Sequence, residues 1–319
     1  MVRKEKRTIM DKTRYSSKIR LSGSDRTLVI VNGILLALFF IVQLYPMLYV
    51  LSASFSDPKA VTSGRMLLWP VESSLDGYKY ILQYSEIWRG YANTIYYTVL
   101  GTLVNLAITL PAAYALSRRD MVSRGFLMVI FMFTMYFSGG LIPGYLNIKD
   151  LGLLDSRLVM LISGGLSVYN LIVARTFFAN TIPWELHEAA RIDGCNDFKI
   201  FLKIVLPLSA PIIVILTIYY GVGHWNSYFN AMIYLKDRDK YPLQLFLREI
   251  LVQSKFAQDA MTSGESFTSE EMAYLIKQAD TANMIKYCVI VASTLPMLAI
   301  YPFLQKYFAK GMMIGSVKG

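Results

Sequence analysis

Apolar residues run along this chain in long blocks, not in the alternation of a half-buried strand or the stripe of a soluble amphipathic helix. The blocks lie at about 27 to 51, 92 to 117, 125 to 144, 158 to 178, 205 to 225 and 285 to 305. Each is near the ~20 residues with which an α-helix crosses the hydrocarbon of a bilayer. Backbone facing lipid must satisfy its hydrogen bonds within its own segment, and the short alternating pattern of a membrane β-barrel is missing, so the blocks predict helices. The predicted fold class is all-α, a polytopic membrane protein with six transmembrane helices. It divides into a tail over 1–26, a membrane domain over 27–305 and a second tail over 306–319, with polar intervals at about 53–91, 181–204 and 226–284. Pro111, Pro143, Pro207, Pro211, Pro296 and Pro302 predict kinks and discontinuities, and Gly139-Gly140 and Gly164-Gly165 predict close helix crossings.

Composition agrees: 55% of residues are hydrophobic and 17% charged, far from an ordinary soluble domain. Charge then sets the orientation. Nine basic side chains lie between Arg3 and Arg26 against Glu5, Asp11 and Asp25, which predicts a cytoplasmic N-terminus. Six spans then put Arg118, Arg119 and Arg124, the interval 181–204, and Lys306, Lys310 and Lys318 on the cytoplasmic side, and the two longest intervals outside. The net charge of +10 thus reads as topology and contact with anionic membrane lipid, not as nucleic-acid binding. A cleavable signal peptide is the competing reading of the N-terminus, but its apolar run is about twice the usual core length. Cys195 and Cys288 have no metal spacing and read as free thiols.

The interval 181–204 is a polar insert between two membrane-length blocks. Pro183 falls where a first helical turn tolerates proline, and Glu185 and Glu188 sit near the positive end of the helix dipole. Gly194 can take the left-handed conformation that stops a helix, and Asn196 is placed to cap the next one. A short helix, a sharp turn and a second helix running into the membrane are predicted.

Catalytic chemistry is not in evidence. No phosphate-binding G-x-x-x-x-G-K-[ST] and no H-E-x-x-H occurs, and the only histidines are His187, read as a solvated helix-face residue, and His224, readable as an interfacial anchor or a cavity residue. No catalytic residue and no metal ligand is predicted. The predicted spans hold no Asp or Glu, and Arg175 is their one deep charge, near a cytoplasmic end where it can snorkel. Carboxylate-free spans disfavour proton or sodium coupling and point to energy arriving mechanically from a separate motor. Polar and aromatic side chains within or beside the spans, Asn105, Tyr114, Tyr136, Asn170, Tyr219, Tyr220, Asn226 and Tyr228, are the candidate substrate-path residues, because sugars are held by aromatic faces and by amide and hydroxyl hydrogen bonds.

The order Glu188-Ala189-Ala190, then Gly194, then Ile204 and Leu206-Pro207 resembles the EAA signature of the membrane subunits of binding-protein-dependent ABC importers. The closing Gly311-Met312-Met313-Ile314-Gly315-Ser316-Val317-Lys318-Gly319, with Asn93-Thr94, Trp225-Asn226 and Tyr241-Pro242-Leu243, is similar to the smaller, MalG-like permease subunit of maltose-type sugar importers. The likeness covers roughly 25 to 319, and looks closest to the oligosaccharide branch of Gram-positive permeases related to LplC and YtcP.

The resemblance implies a type I ABC importer permease fold in a bacterial cytoplasmic membrane, with both termini cytoplasmic. It implies as partners a second, homologous permease subunit, two ATPase subunits that hold ATP and magnesium, an extracytoplasmic solute-binding protein and a carbohydrate, with no cofactor on this chain. Glu188, Ala189, Ala190, Asp193, Gly194, Ile204, Leu206 and Pro207 would couple it to the ATPases. Val317, Lys318 and Gly319 would reach between the two ATPases. The long outer interval would meet the solute-binding protein. A permease for a non-sugar solute, an exporter, an ion-coupled carrier or channel and a membrane receptor are the other readings; the EAA interval argues against the exporter.

Overall fold

The computed structural model describes residues 22–262 and 268–316, and every regular element among them is helical. The N-terminal tail to residue 21 and the C-terminal candidates Val317, Lys318 and Gly319 lie outside the described residues. The chain divides into two compact units, residues 1–50 and 51–319. The described part of the first is most of α1 (Gly23–Ser54), whose Leu35, Phe39, Phe40 and Ile41 are all exposed. A helix apolar on every side suits a membrane and not water.

The second unit runs through α2 (Pro58–Thr62), α3 (Asp76–Gln83), α4 (Ser85–Ser117), α5 (Arg124–Tyr136), α6 (Leu141–Asp150), α7 (Arg157–Ile162), α8 (Val168–Thr181) and α9 (Trp184–Ile192). It continues through α10 (Asp197–Leu208), α11 (Ala210–Trp225), α12 (Phe229–Tyr234), α13 (Leu243–Thr262) and α14 (Ser269–Ser316). Helix α4 is the spine, packed against α7, α8, α11 and α13. At one of its ends, Leu110 and Ala113 pack with Leu171, Phe178, Phe201 and Val205 from α8 and α10. Near the other, Tyr97 joins Val159, Leu161 and Tyr234.

Three segments are long and apolar enough to cross a membrane as single helices: α1, α4 and Thr281–Ile300 within α14. The other three predicted spans are broken, one of them beside prolines at which discontinuities were expected. Helices α5 and α6 meet at 111°, and α10 and α11 at 82°. The block at 158–178 is divided into α7 and α8. Gly140 and Gly164 sit at two of these breaks with φ of 87° and 78°, a conformation that continues no right-handed helix. Both Gly-Gly pairs, expected to let helices cross, therefore interrupt them. Pro207 and Pro211 flank the third break at Ser209, each withholding a backbone donor. The Arg175 guanidinium donates from Nε to the carbonyl of Leu116 at 3.1 Å, answering one of the last carbonyls of α4.

The predicted polar interval 226–284 is mostly helical where described, through α12, α13 and the start of α14; residues 263–267 lie outside the described residues. Asn93 and Thr94 fasten it to α4. The Asn93 amide donates to the carbonyls of Asp239 at 2.8 Å and Tyr241 at 3.0 Å, and Thr94 Oγ1 accepts from the Leu243 amide at 2.9 Å. Two of the short motifs noted in the sequence thus form one contact.

Candidate functional site

Helix α9 begins at Trp184 with Pro183 as its cap, one position before the expected first turn. It ends in a Schellman arrangement. The Gly194 amide donates to the carbonyl of Arg191 at 3.0 Å and the Cys195 amide to that of Ala190 at 2.9 Å, with Gly194 at φ 75°. Asn196 then accepts from the Lys199 amide at 2.8 Å and starts α10, which widens to π-helical geometry over Phe201–Val205. Glu188, Ala189, Asp193 and Gly194 are exposed on one side of this joint and Ala190 is buried beneath them. Ile204 and Leu206 are half-buried against the core, and Pro207 is exposed beside the break into α11. The eight candidates therefore separate into an outward-facing helix and a hinge behind it.

Two large apolar side chains stand out beside the exposed face: Ile192 is 87% exposed and Phe198 70%. Uncovered apolar groups next to a carboxylate, Glu188, make a surface suited to a protein partner. The sequence reading passed over both.

It also passed over the ionic cluster that holds the joint. Arg118, 10% exposed at the end of α4, grips Asp120 with Nε and Nη2 at 2.9 and 2.5 Å and reaches Asp197 with Nη1 at 2.6 Å. Arg191 of α9 bridges the same carboxylates at 2.8 and 3.5 Å. The guanidinium of Arg118 holds both carboxyls below the usual carboxylate range, and the carboxylates in turn raise its own pKa.

His187 is buried, not solvated as its sequence context suggested. Its ring lies between Tyr114 at 5.8 Å and Trp184 at 5.1 Å, nearly parallel to both, and neither ring nitrogen has a well-formed hydrogen bond. Burial pushes its pKa down, with the Pro183 carbonyl opposing; Arg118 and Arg191 add to the lowering and Asp120 resists it. The folded joint thus binds a proton less readily than an exposed imidazole does, so stability is retained above pH ~6.5 and lost as pH falls below it. Acidification from pH 7.5 to 5.5 is expected to lower the Tm of the purified protein by a few degrees, on the order of 1 kcal/mol. The His187→Phe variant, which keeps the stack, is expected to lose that pH dependence in the same melting experiment.

Tyr114 therefore belongs to this joint and is not part of the lining of the polar cavity around Asn105 and Tyr220. It lies three residues before the end of α4, stacked on His187 and, at 5.1 Å, on Phe201.

Four other candidates do come together. Asn105, Asn170, Tyr219 and Tyr220 line a polar cavity of about 270 Å³ with His224 and Asn230. The Asn105 amide donates to the carbonyls of Gly164 at 3.1 Å and Gly165 at 2.9 Å, and its Oδ1 is 2.6 Å from His224 Nε2. The Tyr220 hydroxyl pairs with Thr109 at 2.7 Å and accepts from the Ser167 amide at 3.2 Å. Among the described residues, no carboxylate, lysine or arginine lines this cavity. The remaining candidates lie elsewhere. Tyr136 is exposed at the end of α5, Asn226 caps α11 by donating to the Val222 carbonyl, and Tyr228 stacks beneath the Arg248 guanidinium.

Residues 87–234 match the family described as binding-protein-dependent transport system inner membrane component. Over 292 residues the chain is 42% identical to a polygalacturonan/rhamnogalacturonan transport system permease protein, YtcP, of Bacillus subtilis strain 168, covering 91% of this chain and 98% of that one. It is 39% identical over 278 residues to the protein LplC of the same organism, covering 87% and 90%. Among solved structures, a chain of a bacterial ABC transporter involved in the import of the acidic polysaccharide alginate is 38% identical, with a TM-score of 0.78 over 90% of this chain and 99% of that one.

Proposed function

This chain belongs to the inner membrane components of binding-protein-dependent transport systems, and from that membership we propose that it forms half of the pore of an ATP-driven importer of oligosaccharides. It is a multi-pass membrane permease subunit of the ABC transporter class. A second permease of the same family would complete the pore, two ATPase subunits would bind ATP and magnesium, and an extracytoplasmic solute-binding protein would deliver the sugar. The joint at α9 and α10 would face the cytoplasm together with both chain ends, including Val317, Lys318 and Gly319.

The observation that carries the coupling role is the exposed face of α9. Glu188, Ala189, Ile192 and Asp193 offer two carboxylates, a small residue permitting close approach and an uncovered apolar group, at the end of a helix fixed to the body of the protein by Arg118 and His187. ATP-driven closure of the ATPases would move this helix, and the hinge at Ile204, Leu206 and Pro207 would pass that motion into α11. Because α11 carries Tyr219, Tyr220 and His224, the movement would reshape the polar cavity. Amide, hydroxyl, imidazole and aromatic groups without fixed charge suit the hydroxyls and C–H faces of a sugar.

The test is ATP hydrolysis by the reconstituted assembly with and without sugar-loaded binding protein. Glu188→Arg is expected to reduce stimulated hydrolysis at least about tenfold, ~1.4 kcal/mol of coupling, whether by releasing the ATPases or by leaving them attached and unresponsive. Full stimulation with Glu188 reversed in charge removes the coupling assignment.

A further inference from the structure

A second aromatic pocket lies far from the polar cavity, where α3, the start of α4, α13 and α14 converge. Its volume is about 300 Å³, the lower end of the range for small-molecule sites. Ile87, Ile250, Ala282 and Ile285 form an apolar floor, and Tyr80, Tyr84 and Gln253 stand around it. Tyr80 and Tyr84 are stacked on each other, with centroids 5.5 Å apart and planes within 19°. The corner that carries them is held from outside, because the Trp88 indole donates to the Leu82 carbonyl at 3.0 Å. Beside Tyr84, Arg238 pairs with both Glu86 and Glu249 at 3.1 Å.

Parallel tyrosine faces over an apolar floor, with an amide at the rim and, among the described residues, no charged side chain in the lining, suit a sugar ring. The apolar C–H face can lie on the aromatic surface while ring hydroxyls reach Gln253 and the tyrosine hydroxyls. An acyl chain would leave those polar rim groups without partners. Ile87 in the floor and Asn105 in the polar cavity are eighteen residues apart on α4. That is five full turns and about 27 Å, so both sites address the same face of one helix. We infer that this pocket is an outer sugar-binding subsite, which holds one ring of an oligosaccharide above the polar cavity as the chain leaves the solute-binding protein. The inference rests on the oligosaccharide-import reading and adds to it a site that the coupling joint and the cavity do not require.

The experiment uses the complete assembly in lipid nanodiscs without binding protein, with galactotriose and trigalacturonate as probes. Saturation of the protein's aromatic protons is expected to transfer to the sugar C–H protons. The signal should fall severalfold in Tyr80→Leu/Tyr84→Leu and persist in Tyr84→Trp, which keeps a stacking face. In uptake assays with binding protein, the double variant is expected to raise KM about tenfold, ~1.4 kcal/mol of sugar contact, and to change kcat little. Absence of transfer to either probe in the unmodified assembly, or unchanged transfer and KM in the double variant, overturns the subsite. So does an equal loss of affinity for loaded and sugar-free binding protein, which would make the pocket a protein contact. Basal ATP hydrolysis equal to that of the unmodified assembly shows that the variants have folded. If loaded binding protein fails to stimulate even the unmodified assembly, it is the import reading that falls, an outcome separate from all of these.

Discussion

Asn105→Leu is expected to abolish oligosaccharide uptake, by at least about a hundredfold or ~2.7 kcal/mol, while the ATPase subunits remain attached. Asn105 is buried in the middle of α4, and its amide answers the carbonyls of Gly164 and Gly165. Those carbonyls are free because the chain breaks there between α7 and α8, and at membrane depth no bulk water replaces a lost donor. Leucine fills similar space but leaves two carbonyls and the His224 Nε2 without their partner. Each such group costs roughly 1–3 kcal/mol, reduced where cavity water can reach it. The break would then relax, and with it the wall of the polar cavity. Uptake of labelled sugar, read beside co-purification of the ATPases, measures both parts. Tyr136→Ala, at an exposed site outside the cavity, is expected to leave uptake within about twofold, as surface substitutions generally do. Retained uptake in Asn105→Leu would mean that the cavity is not on the path.

How much of this could be read beforehand depended on whether the signal was local. The turn after α9 was legible because the Gly194 and Asn196 caps are properties of adjacent residues. Membrane-crossing blocks were legible because length and apolarity are averages over many positions. The break between Pro207 and Pro211 was legible in the prolines themselves; the other two were not, since a Gly-Gly pair inside an apolar block serves close crossing and chain reversal equally well, and only the positive φ of Gly140 and Gly164 decides. His187 was misjudged because nine residues of helix do not reveal which face lies underneath. Four of the eight substrate-path candidates share the cavity, and Tyr114 does not because its neighbours are set by the end of α4. The ionic cluster was invisible for a different reason. Asp120 and Arg191 are 71 residues apart and each reads alone as a solvated loop charge. Ile192 and Phe198 likewise read as packing residues until the fold leaves them uncovered.

Arg118→Met tests whether that cluster transmits force as well as holding the joint in place. The side chain is the one cation that serves both Asp120 and Asp197 from α4, and without it the two carboxylates share only Arg191. Both carboxyls have depressed pKa values in the folded protein, with Arg118 the largest cause. Their contribution is therefore complete above the ordinary carboxylate pKa, about 4, and is lost as pH falls through the folded values. At pH 7 the variant loses the share that Arg118 supplies and keeps the share that Arg191 supplies. Asp197 is more than half exposed and Asp120 about a third, so screening limits the loss to roughly 1–2 kcal/mol. That is too little to unfold a membrane domain, but enough to let α9 move without dragging α4. The expected result is an assembly in which ATP is hydrolysed while sugar transported per ATP falls about tenfold. Arg118→Lys is expected to restore little, because a single ammonium cannot reproduce a fork that binds two carboxylates at once. An unchanged ratio of uptake to hydrolysis in Arg118→Met would confine the cluster to a structural role, leaving the hinge at Ile204, Leu206 and Pro207 as the route from the ATPases to the pore.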